Sequence, residues 1–211
     1  MNKLLLLIIA VNVLISLKGF SDRSFFEKFK FNVGAIKRGE HIRHLSSGFL
    51  HVDYMHLFFN MWALYIFAPI VINDFGTVLF GIIYLICLVG SSYFSFFYNK
   101  KNNYYSAVGA SGAVAGIVFS SILLYPDMTL IMFPIPIPLP GYVFGIGYLL
   151  YSIYGMKKQL GNIGHSAHIG GAIAGYLLTL AMAPSLIVEH TFVVVLLAIP
   201  IVLLFILSKV T

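Results

Sequence analysis

Charge is what this sequence has least of. Only 9% of its 211 residues are Asp, Glu, Lys or Arg, while 60% are hydrophobic; soluble domains carry about a quarter charged residues. A soluble fold of this length cannot hide so much apolar side chain. The expected solvent is therefore lipid, and the expected form one polytopic, all-α membrane helix bundle with no room for a separate soluble domain. Cysteine is nearly missing as well. Cys87 stands alone in an apolar run, which excludes an internal disulfide and leaves the redox compartment unread. Acids are few, seven in all against thirteen Lys and Arg, and they lie mostly in predicted loops. The net charge of +6 is placed to meet lipid headgroups rather than nucleic acid. There is no internal repeat and no low-complexity tail.

What remains is long apolar runs. A span needs about 20 such residues, fewer where it is buried in protein, and seven are read: roughly 4–20, 52–71, 77–97, 108–125, 140–154, 167–183 and 188–208. No small-x-small site follows "SLKGF", so the first run reads as a retained helix rather than a cleaved leader. A polar, amphipathic stretch fills 21–50. In "YPDMTLIMFPIPIPLPG" the prolines exclude a regular helix, and the alternation of Ile with Pro predicts an extended segment along the membrane face.

Polar side chains inside such runs are costly, so by default they mark function. His56 and Asn60, four apart in "HVDYMHLFFNMW", share one helix face. Ser111 sits between Gly109 and Gly112 at the head of the fourth run. His168 opens the sixth, in "GHSAHIGGAIAGY". Gly112 and Gly116 give the fourth helix a small-xxx-small face, and Gly171 and Gly175 give the sixth another; such faces let backbones approach closely in lipid. Spans two, four and six run in parallel, so all three polar groups start on the same side of the membrane. A serine hydroxyl needs a neighbouring base to become a nucleophile, and a neutral imidazole can take its proton. Ser111 also sits in the first helical turn, whose backbone N–H groups lack intrahelical partners and are free to hold an oxyanion. With no acid beside His168 in sequence, a dyad is expected rather than a triad. The bland readings are a packing serine, and His56 with Asn60 as interhelical hydrogen-bond glue worth about 0.6–2 kcal/mol. His165 and His168 form H-x-x-H, but with His165 expected in the loop and no H-E-x-x-H, no metal site is read. Asp53 is expected to cap the second helix.

"HLFFN" (56–60), "GASG" (109–112) and "AHIGGAIAG" (167–175) together resemble the three signatures of the rhomboid intramembrane serine proteases, in order and in span. The similarity covers about residues 4–183. It implies Ser111 as nucleophile, His168 as general base, and His56, Asn60 and the Ser111 amide as the oxyanion hole, with no cofactor and no metal. "IR" at 42–43 followed by "HLSSGFLH" resembles the family's first loop, making Arg43 and His51 structural. Two departures stand out. Ile72 occupies the place, four before Gly76, where many members carry a Glu, with Asp74 nearby. Ala115 occupies the place, four after the serine, where some members carry an aromatic that stacks on the base; His168 must then be held by something else.

The resemblance divides the chain into a catalytic membrane core, 1–183, and an additional carboxy-terminal helix, 184–211. It implies cleavage of transmembrane protein substrates in a lipid bilayer, in a bacterial inner membrane, with the active site opening to the extracytoplasmic side. Loop charge points to the opposite orientation by the positive-inside rule, with Lys100, Lys101, Lys157 and Lys158 on the side the family places outside. The alternative function is a non-catalytic rhomboid-like chaperone or binding scaffold, whose known kinds usually lack the serine or the histidine. Substrate identity and oligomeric state are not legible.

Overall fold

The structure, a computed structural model, describes residues 2–132, 135–158, 160 and 163–208. It is an all-α bundle with two small strand pairs. Helix α1 (Lys3–Ser21) begins with Asn2, whose side chain accepts from the Leu4 and Leu5 amides, a good N-cap. The polar stretch folds into short pieces: α2 (Arg23–Phe29), β1 (Phe31–Asn32), α3 (Val33–Lys37), α4 (Arg43–Ser46) and a 3-10 turn (Ser47–Phe49). Then α5 (Tyr54–Asn99) carries the second and third apolar runs as two arms, 54–75 and 77–99. The break is Gly76, at φ 80°, a left-handed conformation that glycine adopts without strain. Ile72 packs against the core beside this corner, and Asp74 accepts a long hydrogen bond from Tyr125 Oη, 3.5 Å.

Strand β2 (Ser106–Ala107) pairs antiparallel with β1 and ties the polar stretch to the loop before α6 (Ser111–Leu124). The proline-rich segment is extended, as its composition predicts. Beyond that prediction, β3 (Thr129–Met132) pairs with β4 (Ile135–Pro140) as an antiparallel ribbon, Leu130 opposite Leu139. Residues 133 and 134 of that predicted segment lie outside the described ones. Helices α7 (Gly141–Lys158), α8 (His165–Met182), the short α9 (Leu186–Glu189) and α10 (Thr191–Ser208) complete the chain.

Helix α6 is the axis. Its 14 residues span about 21 Å, and every one from Gly112 to Leu123 is buried. The second arm of α5, α6 and α8 meet along glycine faces. A Cβ at Gly171 would overlap the Gly112 carbonyl oxygen, and one at Gly175 the Gly116 carbonyl oxygen. On the other flank, Ser91 and Cys87 of α5 fill the space a Cβ at Gly112 or Gly116 would need. Two hydroxyls of α6 are satisfied locally: Ser120 donates to the Gly116 carbonyl at 2.9 Å and Ser121 to that of Ile117 at 2.9 Å.

The exterior is the reverse of a soluble surface. Leu14 of α1, Phe58, Trp62 and Val78 of α5 and Phe192 of α10 all stand more than half exposed; so many exposed large apolar side chains call for lipid or a partner. Helices α1 and α5 are each long and apolar enough to cross a membrane.

Candidate active site

The first loop builds the floor. Arg43, only 7% exposed, donates from Nη1 to the carbonyls of Glu27 (2.8 Å) and Lys30 (2.7 Å), and from Nε and Nη2 to Glu40 (2.9 and 2.7 Å). One guanidinium thereby closes the end of α2 onto α4, with all its bonds charge-assisted. His51 is fully buried. Its Nε2 accepts from the Ala110 amide at 3.4 Å, so Nδ1 carries the proton and donates to Ser16 Oγ, 2.8 Å. Ser16 in turn donates to the Phe49 carbonyl at 3.0 Å. Burial pushes the His51 imidazole from 6.5 down to about 3, an effect that the neighbouring His56 increases and Asp53 opposes. The ring is therefore a neutral strut between α1 and the residue that precedes Ser111. The Gly109 amide adds a second tie, to the Ser47 carbonyl at 3.0 Å.

Gly109, at φ 128°, makes the turn into α6 and leaves room at the same time. The point where its Cβ would sit lies 2.9 Å from His56 Nε2 and 3.6 Å from Ser111 Oγ, so these atoms face the same small space. Asp53 caps α5 as expected, its Oδ1 accepting from the His56 amide at 2.7 Å. Asn60 donates back to the His56 carbonyl at 3.1 Å. The ring of His56 packs edge-on to His51, centroids 4.9 Å apart, and its buried Nδ1 has no partner among the described residues.

Ser111 is the first residue of α6, whose Ala110 cap offers no side-chain acceptor to the turn's amides. Opposite, His168 sits in the first turn of α8. Ser111, His168, His56 and Asn60 line one cavity of about 570 Å³, walled by the first arm of α5 and by α7. Among the described residues Ser111 Oγ and the His168 ring make no hydrogen bond. Catalytic bonds are often long before substrate arrives.

Two residues differ from the sequence reading. His165 is not in a loop: it is the first residue of α8, 3% exposed, with the Tyr151 ring edge-on at 5.3 Å and Gly155 of α7 flat against it. The second is Tyr148, which carries no signal of its own in the sequence. Its ring stacks on His168, centroids 5.6 Å apart and planes 22° apart. Nothing local in "GIGYLL" signals this, because the contact joins two helices.

A model of the rhomboid domain matches residues 38–185. Among curated proteins the chain is similar to a mitochondrial rhomboid protein 1 of Saccharomyces cerevisiae, 28% identical over 63% of this chain and 39% of that protein. It is also similar to a mitochondrial rhomboid-like protein 12 of Arabidopsis thaliana, 28% identical over 79% of this chain and 54% of that one. A human mitochondrial presenilin-associated rhomboid-like protein is 30% identical over 62% of this chain and 35% of its own length. The chain thus spans roughly a third to a half of the relatives it matches. These relatives overturn the bacterial inner membrane that the family resemblance implied: all three are mitochondrial, and the three short motifs behind that resemblance do not tell the two kinds of membrane apart. With the domain match covering well over half its length, the chain belongs to the rhomboid family.

Proposed function

We propose that this rhomboid protein is an intramembrane serine endopeptidase acting on transmembrane protein substrates. The observation that carries the reading is the shared cavity: Ser111 and His168 line it from two helices whose backbones touch through glycines. Ser111 Oγ attacks the scissile carbonyl while His168 takes its proton. The oxyanion forms against the Ser111 amide, with His56 and Asn60 as side-chain donors, each such donor contributing about 3 kcal/mol to the transition state. His168 returns the proton to the leaving amine, and water then releases the acyl-enzyme by the same steps. The substrate segment enters from lipid, between the first arm of α5 and α7. By likeness to its mitochondrial relatives, the chain works in a mitochondrial membrane. Residues 1–183 form the catalytic core and the last helix is an addition to it.

The test is labelling by a fluorophosphonate probe together with cleavage of a membrane-anchored reporter. Wild type labels at Ser111 and cleaves; Ser111→Ala and His168→Ala accumulate but do neither. Cleavage retained by either variant refutes the dyad. One observation favours a second reading, a non-catalytic scaffold of the same fold: the dyad makes no direct hydrogen bond. A chain that folds, binds membrane proteins and never labels is that scaffold.

A further inference from the structure

The base has a fixed ring to explain. Among the described residues no hydrogen bond holds the His168 imidazole. The carboxylate lining the cavity, Asp53, is engaged by the His56 amide. Ala115, one turn along α6 from the serine and buried at 3% exposure, is too small to reach across. Two rings touch it: His165 of its own helix, edge-on with centroids 6.1 Å apart, and Tyr148 of α7, which covers its face at 5.6 Å and 22°. Tyr148 is itself wedged by Phe119 of α6, centroids 6.2 Å apart, and by Phe144 one turn earlier on α7, 5.9 Å. Ala115 and Tyr148 line the same cavity, so a small residue on the nucleophile's helix leaves the space that a large ring from α7 fills. Stacked aromatic pairs prefer a defined offset geometry and so restrict the torsions of both partners.

We propose that Tyr148 is the positioning residue for the general base, so that α7, and not the helix of the nucleophile, sets the orientation of His168. This rests on the serine endopeptidase reading. Its consequence is a coupling. The wall of the cavity that borders the lipid-side entry also carries the ring that aims the base, and a displacement of α7 takes that ring away from His168. Proton transfer requires a narrow range of distance and angle, so loss of the ring acts on the chemical step and not on substrate affinity.

The test uses the full chain in detergent with Tyr148→Leu and Tyr148→Phe. The carbon-bound ring protons of His168, assigned by their disappearance in His168→Gln, read the stack without any need for activity. They move out of ring-current shielding in the Leu variant and stay shielded in the Phe variant; resonances that do not move overturn the proposal. Fluorophosphonate labelling, which needs the base but no transmembrane substrate, slows about tenfold in the Leu variant and recovers to within about twofold in the Phe variant. For a membrane reporter, kcat falls in the same ratio with KM unchanged. Full-rate labelling by the Leu variant, or a rise in KM alone, overturns the positioning role and makes Tyr148 a substrate contact. A wild type that never labels refutes the endopeptidase reading instead, while the resonances decide the stack independently.

Discussion

Glycine is used differently on the two helices that flank the cavity. On α8, Gly171 and Gly175 lie against the backbone carbonyls of Gly112 and Gly116. On α7, a Cβ at Gly141 would meet Met128 Cγ at 2.9 Å, one at Gly145 would meet the Leu197 tip at 3.1 Å, and one at Gly147 would meet nothing within 4 Å. Backbone cannot step aside, whereas side-chain tips can change rotamer. The α6–α8 seam is therefore a rigid mount for Ser111 and His168, the proposed nucleophile and base, and the first two turns of α7 rest on adaptable surfaces. Near its far end α7 meets a bulkier side chain, the buried His165 ring lying flat against Gly155. Such a wall can shift without moving the α6–α8 backbone; under the proposed function, a substrate helix that displaces it as far as Tyr148 loosens the His168 ring and leaves the mount in place.

The contrast breaks most severely at Gly171. Gly171→Val places two methyl groups where the Gly112 carbonyl stands, and the expected loss is about 3 kcal/mol or more, beyond ordinary overpacking because backbone must move. Folded protein should fail to accumulate, read by size-exclusion yield and thermal melting. The equivalent probe on α7, Gly147→Ala, should melt at or slightly above wild type, since it adds helix propensity of up to about 1 kcal/mol into open space. Equal outcomes at the two positions would erase the distinction between the seams.

The floor beneath the seam gives a pH signature. His51 is held neutral, at about 3 against 6.5 when exposed, and burial lowers His44 as well. A base whose folded value is depressed binds a proton in the unfolded chain first. Its contribution to stability is thus complete above 6.5 and is lost as pH falls toward 3, by about 1.4 kcal/mol per pH unit for one such group. Between pH 6.5 and 4.5 the melting temperature should therefore drop steeply. His51→Gln should flatten the slope there while lowering stability at neutral pH by about 1–3 kcal/mol, because the Ala110 amide and Ser16 lose a well-placed partner. A slope unchanged by this substitution would mean that His51 is not the group titrating.

Most of this architecture was written in local pattern. All seven apolar runs are helices, the corner at Gly76 falls between the second and third, and the glycine spacings on α6 and α8 state directly which faces can meet. That His56, Asn60, Ser111 and His168 would line one cavity was legible, because each lies near the start of one of three parallel spans. What escaped was whatever depends on two distant segments at once: the pairing of β1 with β2, the ribbon formed by the proline-rich strands, and the ring of Tyr148 over His168. The place of His165 inside α8 is hidden for a related reason. A helix start with a glycine cap and no Ser, Thr, Asn or Asp leaves its boundary unmarked.

The smallest expected effect concerns how the cushioned side is kept in place. Tyr176 of α8 donates its hydroxyl to the Val194 carbonyl of α10 at 2.9 Å, and Leu197 of α10 is fully buried where Gly145 of α7 lies closest to it. Helix α10 thus presses on the outer face of α7 while being fastened to α8. Tyr176→Phe removes one neutral hydrogen bond and nothing else, a change of about 1 kcal/mol, so global melting should fall by only a few degrees. If α10 braces the adaptable wall, the loss should concentrate there: hydrogen exchange should quicken in α7 and α10 and stay unchanged in α6. Uniform quickening across all three helices would instead make α10 a part of the rigid axis, and the division between the two seams would have to be redrawn on its other side.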